Sequence, residues 1–302
     1  MTPRSDARTD PRTDPGKPLR FGVKLTQDAP VETFRQVWQV ADQAGFDHVW
    51  VMDHLASLGA DDDRPIFDAW AMQAAMAVAT SRVRIGCMVS GNSYRHPVML
   101  AKLATTVDHL SGGRLELGIG AGWNEHEHTM YGLDLGSVRT RMDRLEEALQ
   151  VLTSLWERPR TTFDGAHYRL VDAVAEPKPV QRPHPPIWVG GSGPRRTLRL
   201  VAQYADAWND TSSTPEQVAA LGEVLERHCA DVGRDPAQIR RTVQLRLREH
   251  PLAALPALVE RYAAAGVTEF VVVLSSGAAA LRELDEVVAA LPTLRAAAGA
   301  GH

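Results

Sequence analysis

Short apolar runs alternate with longer amphipathic stretches along most of the chain. The runs at 47–52 (DHVWVM) and 114–120 (RLELGIG) have the length and composition of buried strands. Between such runs, apolar residues such as Val31, Phe34 and Val37 recur at the spacing of one helical face. This alternation of strands and helices predicts βα units around a parallel sheet.

The pattern predicts eight strand–helix units. Eight consecutive units favour a closed (β/α)8 barrel, the TIM-barrel form of the α/β class, over an open sheet. The rhythm breaks at 160–186, where a turn signal at Asp164-Gly165 precedes many prolines. We therefore predict an insertion there, between the fourth helix and the fifth strand. The predicted strands span residues 19–25, 47–52, 83–89, 114–120, 186–190, 207–209, 243–247 and 270–274.

Composition places this barrel in an ordinary class of protein. The 302 residues suit one large core, predicted at 18–295, between a polar disordered tail at 1–17 and a flexible Ala/Gly-rich end at 296–302. A net charge of -4 gives no reason to expect a nucleic-acid partner. Two cysteines and no membrane-length apolar run predict a reduced, cytoplasmic protein without a membrane partner.

In a barrel of this kind the chemistry lies at the C-terminal mouth, where strands end and loops begin. The second predicted strand ends in Asp53-His54. An imidazole at this position can act as an acid or base near neutral pH, and we expect the neighbouring Asp53 to orient it. The alternative is an ordinary polar loop.

The third and fourth strand ends also carry candidate residues. Arg95 precedes a predicted helix N-terminus and is either a clamp for an anion or a partner in a surface salt bridge. Gly118, Gly120 and Gly122 alternate with other residues, which would let the backbone approach a flat ligand closely. Their GxGxG spacing does not match the GxGxxG dinucleotide fingerprint.

The fifth strand ends in a Gly-rich turn that opens a helix. The free amides at 190–193, followed by Arg195 and Arg196, favour a phosphate site over a plain tight turn. Asn209 is the last residue of the next predicted strand and could line a pocket. The run at 125–128 (EHEH) lacks the HExxH spacing of a helical zinc site, so we expect no metal.

Taken together, these motifs resemble the luciferase-like monooxygenase superfamily, and most of all its coenzyme F420-dependent oxidoreductases. The resemblance covers nearly the whole predicted barrel. It rests on residues 91–97 (GNSYRHP), 110–115 (LSGGRL) and 117–124 (LGIGAGWN), with further matches at 42–47 (DQAGFD), 53–54 (DH) and 186–191 (PIWVGG).

The resemblance implies a flavin or deazaflavin ring over the mouth, with His54 beside the ring and the substrate. It also implies a non-prolyl cis peptide at the end of the third strand, at Met88–Val89 or, as a rival, Cys87–Met88. In the sugar-phosphate dehydrogenase branch a Glu follows the last glycine of the strand-4 loop, where this chain has Trp123. The implied cofactor contacts are Met88, Val89, Ser90, Gly120, Ala121, Gly122, Trp123, Gly190, Gly191 and Ser192, and the weaker substrate contacts are Arg95 and Asn209.

Four functional hypotheses remain at this stage. The first is an F420-dependent oxidoreductase that transfers a hydride to or from a small organic substrate. The second is an FMN-dependent monooxygenase that uses reduced flavin and O₂. The third is a non-redox barrel enzyme that binds a phosphorylated substrate at 190–196, and the fourth is a flavin-binding or dimerisation module without turnover. Members of the family often pair, so a homodimer is possible.

Overall fold

The computed structural model describes residues 19–26, 29–58, 63–211, 213–277 and 279–297. The predicted tail at 1–17 and residues 298–302 of the predicted flexible end lie outside these ranges. Within them, no helix is both long and apolar enough to cross a membrane.

Eight parallel strands form the centre of the molecule. They are β1 (Arg20–Leu25), β2 (His48–Val51), β3 (Arg84–Gly91), β4 (Leu115–Gly120), β7 (Ile187–Gly190), β8 (Ala207–Asp210), β9 (Arg240–Arg246) and β10 (Glu269–Leu274). They close in the order β1-β10-β9-β8-β7-β4-β3-β2, so the predicted barrel is confirmed. The hairpin of β5 (Thr161–Asp164) and β6 (Arg169–Ala173) confirms the predicted turn inside the insertion.

The helices surround this barrel. They are α1 (Val31–Gln43), α2 (Ala69–Ala79), α3 (Pro97–Leu110), α4 (Glu125–Met130), α5 (Val138–Glu157), α6 (Thr197–Tyr204), α7 (Pro215–Val232), α8 (Leu255–Ala264) and α9 (Ala279–Ala296). The structure adds α4, which the sequence pattern did not predict because six residues are too few to show a helical period.

The strand boundaries agree with the predictions to within two residues, except at the start of β9. Strand β9 begins at Arg240, three residues before the predicted start at Val243. Its first residues were not recognised as a strand because Arg240 and Thr242 are polar yet buried. The helix predicted after the Gly-rich turn at 190–193 is α6, which begins at Thr197.

Strand residues alternate between the helix layer and the barrel interior. In β1, Phe21 and Val23 belong to the large core between sheet and helices, whereas Gly22 faces inward. A Cβ at Gly22 would lie 1.7 Å from Nδ1 of His48. Glycine is therefore required there to make room for an imidazole inside the barrel.

The N-terminal end of the barrel is filled by a buried ionic network. Arg240 donates to Glu116 Oε2 at 2.9 Å and to Glu269 Oε1 at 3.0 Å, and all three side chains are almost fully buried. Burial raises the pKa of the Glu269 carboxyl, but the neighbouring Arg240 and Arg20 outweigh it and lower that pKa below its usual value. The guanidinium of Arg240 also lies 4.9 Å from the Trp188 ring centroid. Charges without access to water are thus neutralised inside the fold.

His48 is the uncharged member of this network. Its Nδ1 accepts a hydrogen bond from Trp50 Nε1 at 2.6 Å, and its Nε2 lies 3.7 Å from Glu269 Oε2. Burial lowers the pKa of His48 from 6.5 to about 4; the charge of Glu269 opposes this shift and that of Arg20 adds to it. The imidazole is therefore held neutral at physiological pH.

This neutrality predicts a pH dependence of stability. In the unfolded chain His48 takes up a proton as the pH falls through 6.5, whereas the folded protein resists protonation until about pH 4. The free energy of unfolding therefore falls as the pH is lowered from 6.5 to 4, with a contribution from His48 of about 3 kcal/mol. Urea unfolding across this pH range measures it.

A matched pair of variants isolates the His48 contribution. His48→Asn keeps an acceptor for Trp50 but cannot titrate, so its stability should depend less steeply on pH in this window. His167→Asn, at an exposed position on the hairpin, should keep the slope of the parent. Equal slopes for His48→Asn and the parent would contradict a neutral buried His48.

Candidate active site

His54 lies at the mouth of the barrel, directly after β2, with 13% of its side chain exposed. Its Nδ1 is 3.0 Å from Oε2 of Glu127 on α4. Because a carboxylate accepts hydrogen bonds, this nitrogen carries the proton, and Nε2 of the neutral ring keeps a lone pair. The ring is thus fixed in one tautomer, as a proton acceptor needs.

Glu127 is fully buried and holds several donors at once. Its Oε2 accepts from the Tyr94 hydroxyl and its Oε1 accepts from the backbone N–H groups of Leu55 and Ala56. Burial alone would raise the pKa of this carboxyl, but these hydrogen bonds and the one from His54 outweigh burial and lower it to about 2. Glu127 therefore stays charged and ties the His54 loop to α4.

Asp53 has other partners than the expected one. Its Oδ2 accepts from the Gly91 N–H at 3.1 Å and from Arg95 Nη1 at 2.5 Å, and Arg95 also donates to Asp68 at 2.8 Å. The expectation that Asp53 orients His54 is corrected, because adjacent side chains at a strand end project to different sides. Arg95 is held in a salt bridge and is not placed as an open anion clamp.

A polar floor crosses the barrel below the mouth. Lys24 Nζ donates to the Met88 carbonyl and to Gln244 Oε1, each at 3.1 Å, and Gln244 donates to Asn209 Oδ1 at 2.9 Å. Asn209 in turn donates to Thr242 Oγ1 at 2.7 Å. Asn209 is fully buried, so it supports the floor and does not reach a ligand as the sequence had suggested. Burial lowers the pKa of Lys24 to about 8.

The end of β3 forms a flat apolar surface beside this floor. The bond between Met88 and Val89 is cis, as predicted, and the Val89 side chain is partly exposed. A Cβ on Gly120 would lie 2.8 Å from a Val89 methyl carbon, and a Cβ on Gly190 would lie 3.2 Å from both. The glycines thus make room for Val89, so the platform consists of one small side chain among bare backbone.

The predicted cofactor residues differ in their exposure. Met88, Ser90 and Gly120 are buried and can contribute only backbone or support. The residues that reach the mouth, fully or in part, are Val89, Ala121, Gly122, Trp123, Gly190, Gly191 and Ser192.

The Gly-rich turn after β7 keeps part of its predicted anion-binding character. Gly191 has a φ of +121°, a conformation that favours glycine. The Ser192 hydroxyl donates to the buried carboxylate of Asp210, and Arg196 pairs with Asp143 at 2.7 Å and with Glu146 at 3.4 Å. A phosphate at this turn would therefore be bound by backbone N–H groups, with no free guanidinium from Arg196.

The EHEH run also has a clear structural role. Glu127 is the partner of His54, while His128 is buried and bonds to the Asn124 carbonyl and to Ser93 Oγ at 2.7 and 2.8 Å. In the described residues no cluster of three or more potential metal ligands is found.

Comparison with known proteins decides the family. A model of the luciferase-like monooxygenase family matches residues 17–297. The chain belongs to this family. As a member it is an oxidoreductase, and the barrel mouth described above is its candidate active site.

Two relatives and one solved structure illustrate the range of this luciferase-like family. The chain is 33% identical over 252 residues to F420-dependent glucose-6-phosphate dehydrogenase of Kineococcus radiotolerans, which covers 80% of this chain and 72% of the relative. It is 30% identical over 225 residues to pyrimidine monooxygenase RutA of Stutzerimonas stutzeri, covering 70% of this chain and 61% of the relative. The structure of an F420-dependent secondary alcohol dehydrogenase in complex with an F420-acetone adduct shares the fold, with a TM-score of 0.81 at 21% identity over 92% of this chain and 99% of that one.

The luciferase-like site contains residues that sequence reasoning missed. The sequence suggests Glu127 only as part of a possible metal motif at 125–128, and it gives Tyr94 no role beyond its place in the motif at 91–97. The available signal is their position in the barrel. Tyr94 follows β3, which pairs with β2, and Glu127 follows β4, which pairs with β3. Lys24 carries a sequence signal of its own, because it is a cation between the apolar residues Val23 and Leu25 of β1.

Proposed function

We propose that this protein is an F420-dependent oxidoreductase that moves a hydride between the deazaflavin and a small organic substrate at the barrel mouth. The observation that carries the proposal is the His54–Glu127 pair, which gives a proton acceptor a fixed tautomer at the end of β2. Family membership supplies the redox class.

The residues at the mouth fit a flat tricyclic ring. Val89 between Gly120 and Gly190 offers an apolar platform without neighbouring side chains, which suits one face of such a ring. The N–H groups of the turn at 190–193 suit the phosphate of a cofactor tail. A bound deazaflavin would supply hydride acceptance and donation, which no side chain can provide.

The protein's own residues manage the proton. His54 Nε2 accepts the hydroxyl proton of an alcohol as the carbon is oxidised, and returns it in the reverse direction. Glu127 holds Nδ1–H and stabilises the imidazolium that forms, since its carboxylate stays ionised. Tyr94 and the N–H groups of Leu55 and Ala56 keep that carboxylate in place.

The choice of F420 rests on similarity to proteins that carry F420 in their names, one of them the Kineococcus dehydrogenase. An FMN-dependent monooxygenase is the second candidate, and the similarity to pyrimidine monooxygenase RutA favours it. A non-redox enzyme for phosphorylated substrates is disfavoured because the chain belongs to the luciferase-like family, whose similar members here are a monooxygenase and F420-dependent dehydrogenases.

Titration of the cofactor-free protein with F420, FMN and FAD, followed by quenching of intrinsic fluorescence, tests the proposal. We expect F420 to bind most tightly. Val89→Asp should lose this binding because a charge then stands on the platform, whereas Val171→Asp, at a valine that is 76% exposed on the hairpin, should keep it. Circular dichroism confirms that both variants fold. Tight binding of FMN with no binding of F420 would overturn the choice of cofactor.

A further inference from the structure

Around His54 the mouth is lined by exposed aromatic surface. Trp123, just before α4, is 64% exposed, and its ring lies edge to face with the His54 ring at a centroid distance of 5.8 Å. The Tyr131 hydroxyl donates to the Leu55 carbonyl at 2.9 Å, which keeps a second half-exposed ring against the same loop. Exposed aromatic rings beside a candidate proton acceptor are typical of a site that a ligand covers.

The cations near this loop are already occupied. Arg95 is bound to the carboxylates of Asp53 and Asp68, and only 15% of its side chain is exposed. Arg64 donates to the Leu58 carbonyl at 2.9 Å. Lys24 is only 8% exposed and donates into the floor. Each of these three groups donates hydrogen bonds to acceptors within the protein. The carboxylate of Glu127 accepts a hydrogen bond from His54 Nδ1.

Among the residues that the structure describes around this loop, an anionic substrate would therefore meet the Glu127 carboxylate and three cations that already donate to acceptors of the protein. An uncharged molecule has no charge to desolvate or to be repelled by this carboxylate. Its apolar body can cover the Trp123 ring, and its oxygen can reach His54 Nε2. The Trp123 ring would also disfavour binding of a sugar phosphate. A phosphate loses its hydrating water on binding and needs a bidentate hydrogen-bond partner in its place, which an aromatic ring does not offer.

We propose that the substrate pair of this site is an uncharged alcohol and its carbonyl compound, with an apolar or aromatic body that packs on Trp123. This inference rests on the proposed function. In the oxidising direction the C–H bond breaks and its electron pair leaves as hydride to the deazaflavin, the O–H proton goes to His54 Nε2, and the carbon becomes a carbonyl. The reverse reaction uses the same groups in the opposite order, so atoms and electrons balance.

The F420-loaded protein tests this with two sets of probes. The uncharged alcohols are 1-phenylethanol and 2-propanol, and the anions are glucose 6-phosphate and lactate. We expect turnover with the uncharged set only. Calorimetry with acetophenone, the ketone of 1-phenylethanol, measures binding without turnover, and glucose 6-phosphate should give no heat of binding at the same concentration.

Variants of Trp123 and Asp68 sharpen the test. Trp123→Ala should raise both KM for 1-phenylethanol and Kd for acetophenone by about 3- to 10-fold, with little change for 2-propanol, and Trp123→Phe should restore most of the loss. Asp68→Asn removes one carboxylate from Arg95 but keeps a side-chain cap on α2, so it should weaken the discrimination against lactate.

Two results would overturn the inference: binding of glucose 6-phosphate at least as tight as that of acetophenone, or an unchanged Kd for acetophenone in Trp123→Ala. Neither result affects the proposed function, which depends on F420 binding to the unmodified protein. A failure to bind F420 would be seen in the cofactor titration before any substrate is added.

Discussion

We expect His54→Ala to lower kcat by about 10²- to 10⁴-fold while the dissociation constant of the cofactor stays close to that of the parent. The reason is that Nε2 is the proton acceptor in the proposed mechanism, whereas the apolar platform at Val89 does not involve the imidazole. Added imidazole should restore part of the lost turnover in this variant. Steady-state kinetics and cofactor titration on the same preparation measure both quantities.

Glu127→Gln separates positioning from proton transfer. The amide oxygen can still accept from the N–H groups of Leu55 and Ala56, but the amide has no charge to stabilise an imidazolium at His54. We expect kcat to fall with little change in KM, and the pH profile of kcat to shift because the ionised neighbour is gone. His167→Ala, at an exposed position, serves as the control and should retain full activity. Full activity in His54→Ala would remove His54 from the mechanism.

The second large effect concerns stability. Arg240→Met should lower the free energy of unfolding by about 3–5 kcal/mol, because it leaves Glu116 and Glu269 buried with too few partners. Methionine fills much of the volume of arginine, so the loss reports the missing charge more than a cavity. Urea unfolding at neutral pH measures the change.

A surface pair provides the comparison. Arg160 and Asp172 form an ion pair in which each side chain is 62% exposed, and Arg160→Met should cost less than about 1 kcal/mol. A cost for Arg240→Met within 1 kcal/mol of the Arg160→Met cost would show that the buried network contributes little to stability.

The parts of the fold that the sequence could predict are those whose side chains repeat regularly. Strands β1 to β4 and helices such as α1 show clear apolar periods. The family resemblance implied a cis bond at Met88–Val89 or Cys87–Met88, and the structure has it at Met88–Val89. Strand β9 was placed too late because its first inward side chains, Arg240 and Thr242, are polar. Because the inward residues at this end of the barrel are ionic or polar, β9 does not begin with the apolar residues by which a buried strand is usually recognised.

The site was predictable in its location but not in its pairing. Asp53 seemed the natural partner of His54 because the two are adjacent, yet the strand end turns them apart. Glu127 is 73 residues away in sequence and lies on a helix of six residues, too short for any periodic signal. Likewise, Gly118 and Gly120 were expected to admit a ligand, whereas the structure shows β3 packed against both. Such contacts form only when the closed barrel brings distant segments together, so a local sequence pattern does not predict them.

Under the proposed function, hydride transfer to F420 at this mouth needs no oxygen. An anaerobic single-turnover experiment tests it most directly: protein loaded with oxidised F420 is mixed with 1-phenylethanol, and the visible absorbance of the deazaflavin is followed. We predict that the absorbance bleaches in stoichiometric yield, that acetophenone forms, and that His54→Ala slows the bleaching. No bleaching with F420, together with substrate oxygenation that requires reduced FMN and O₂, would contradict the account.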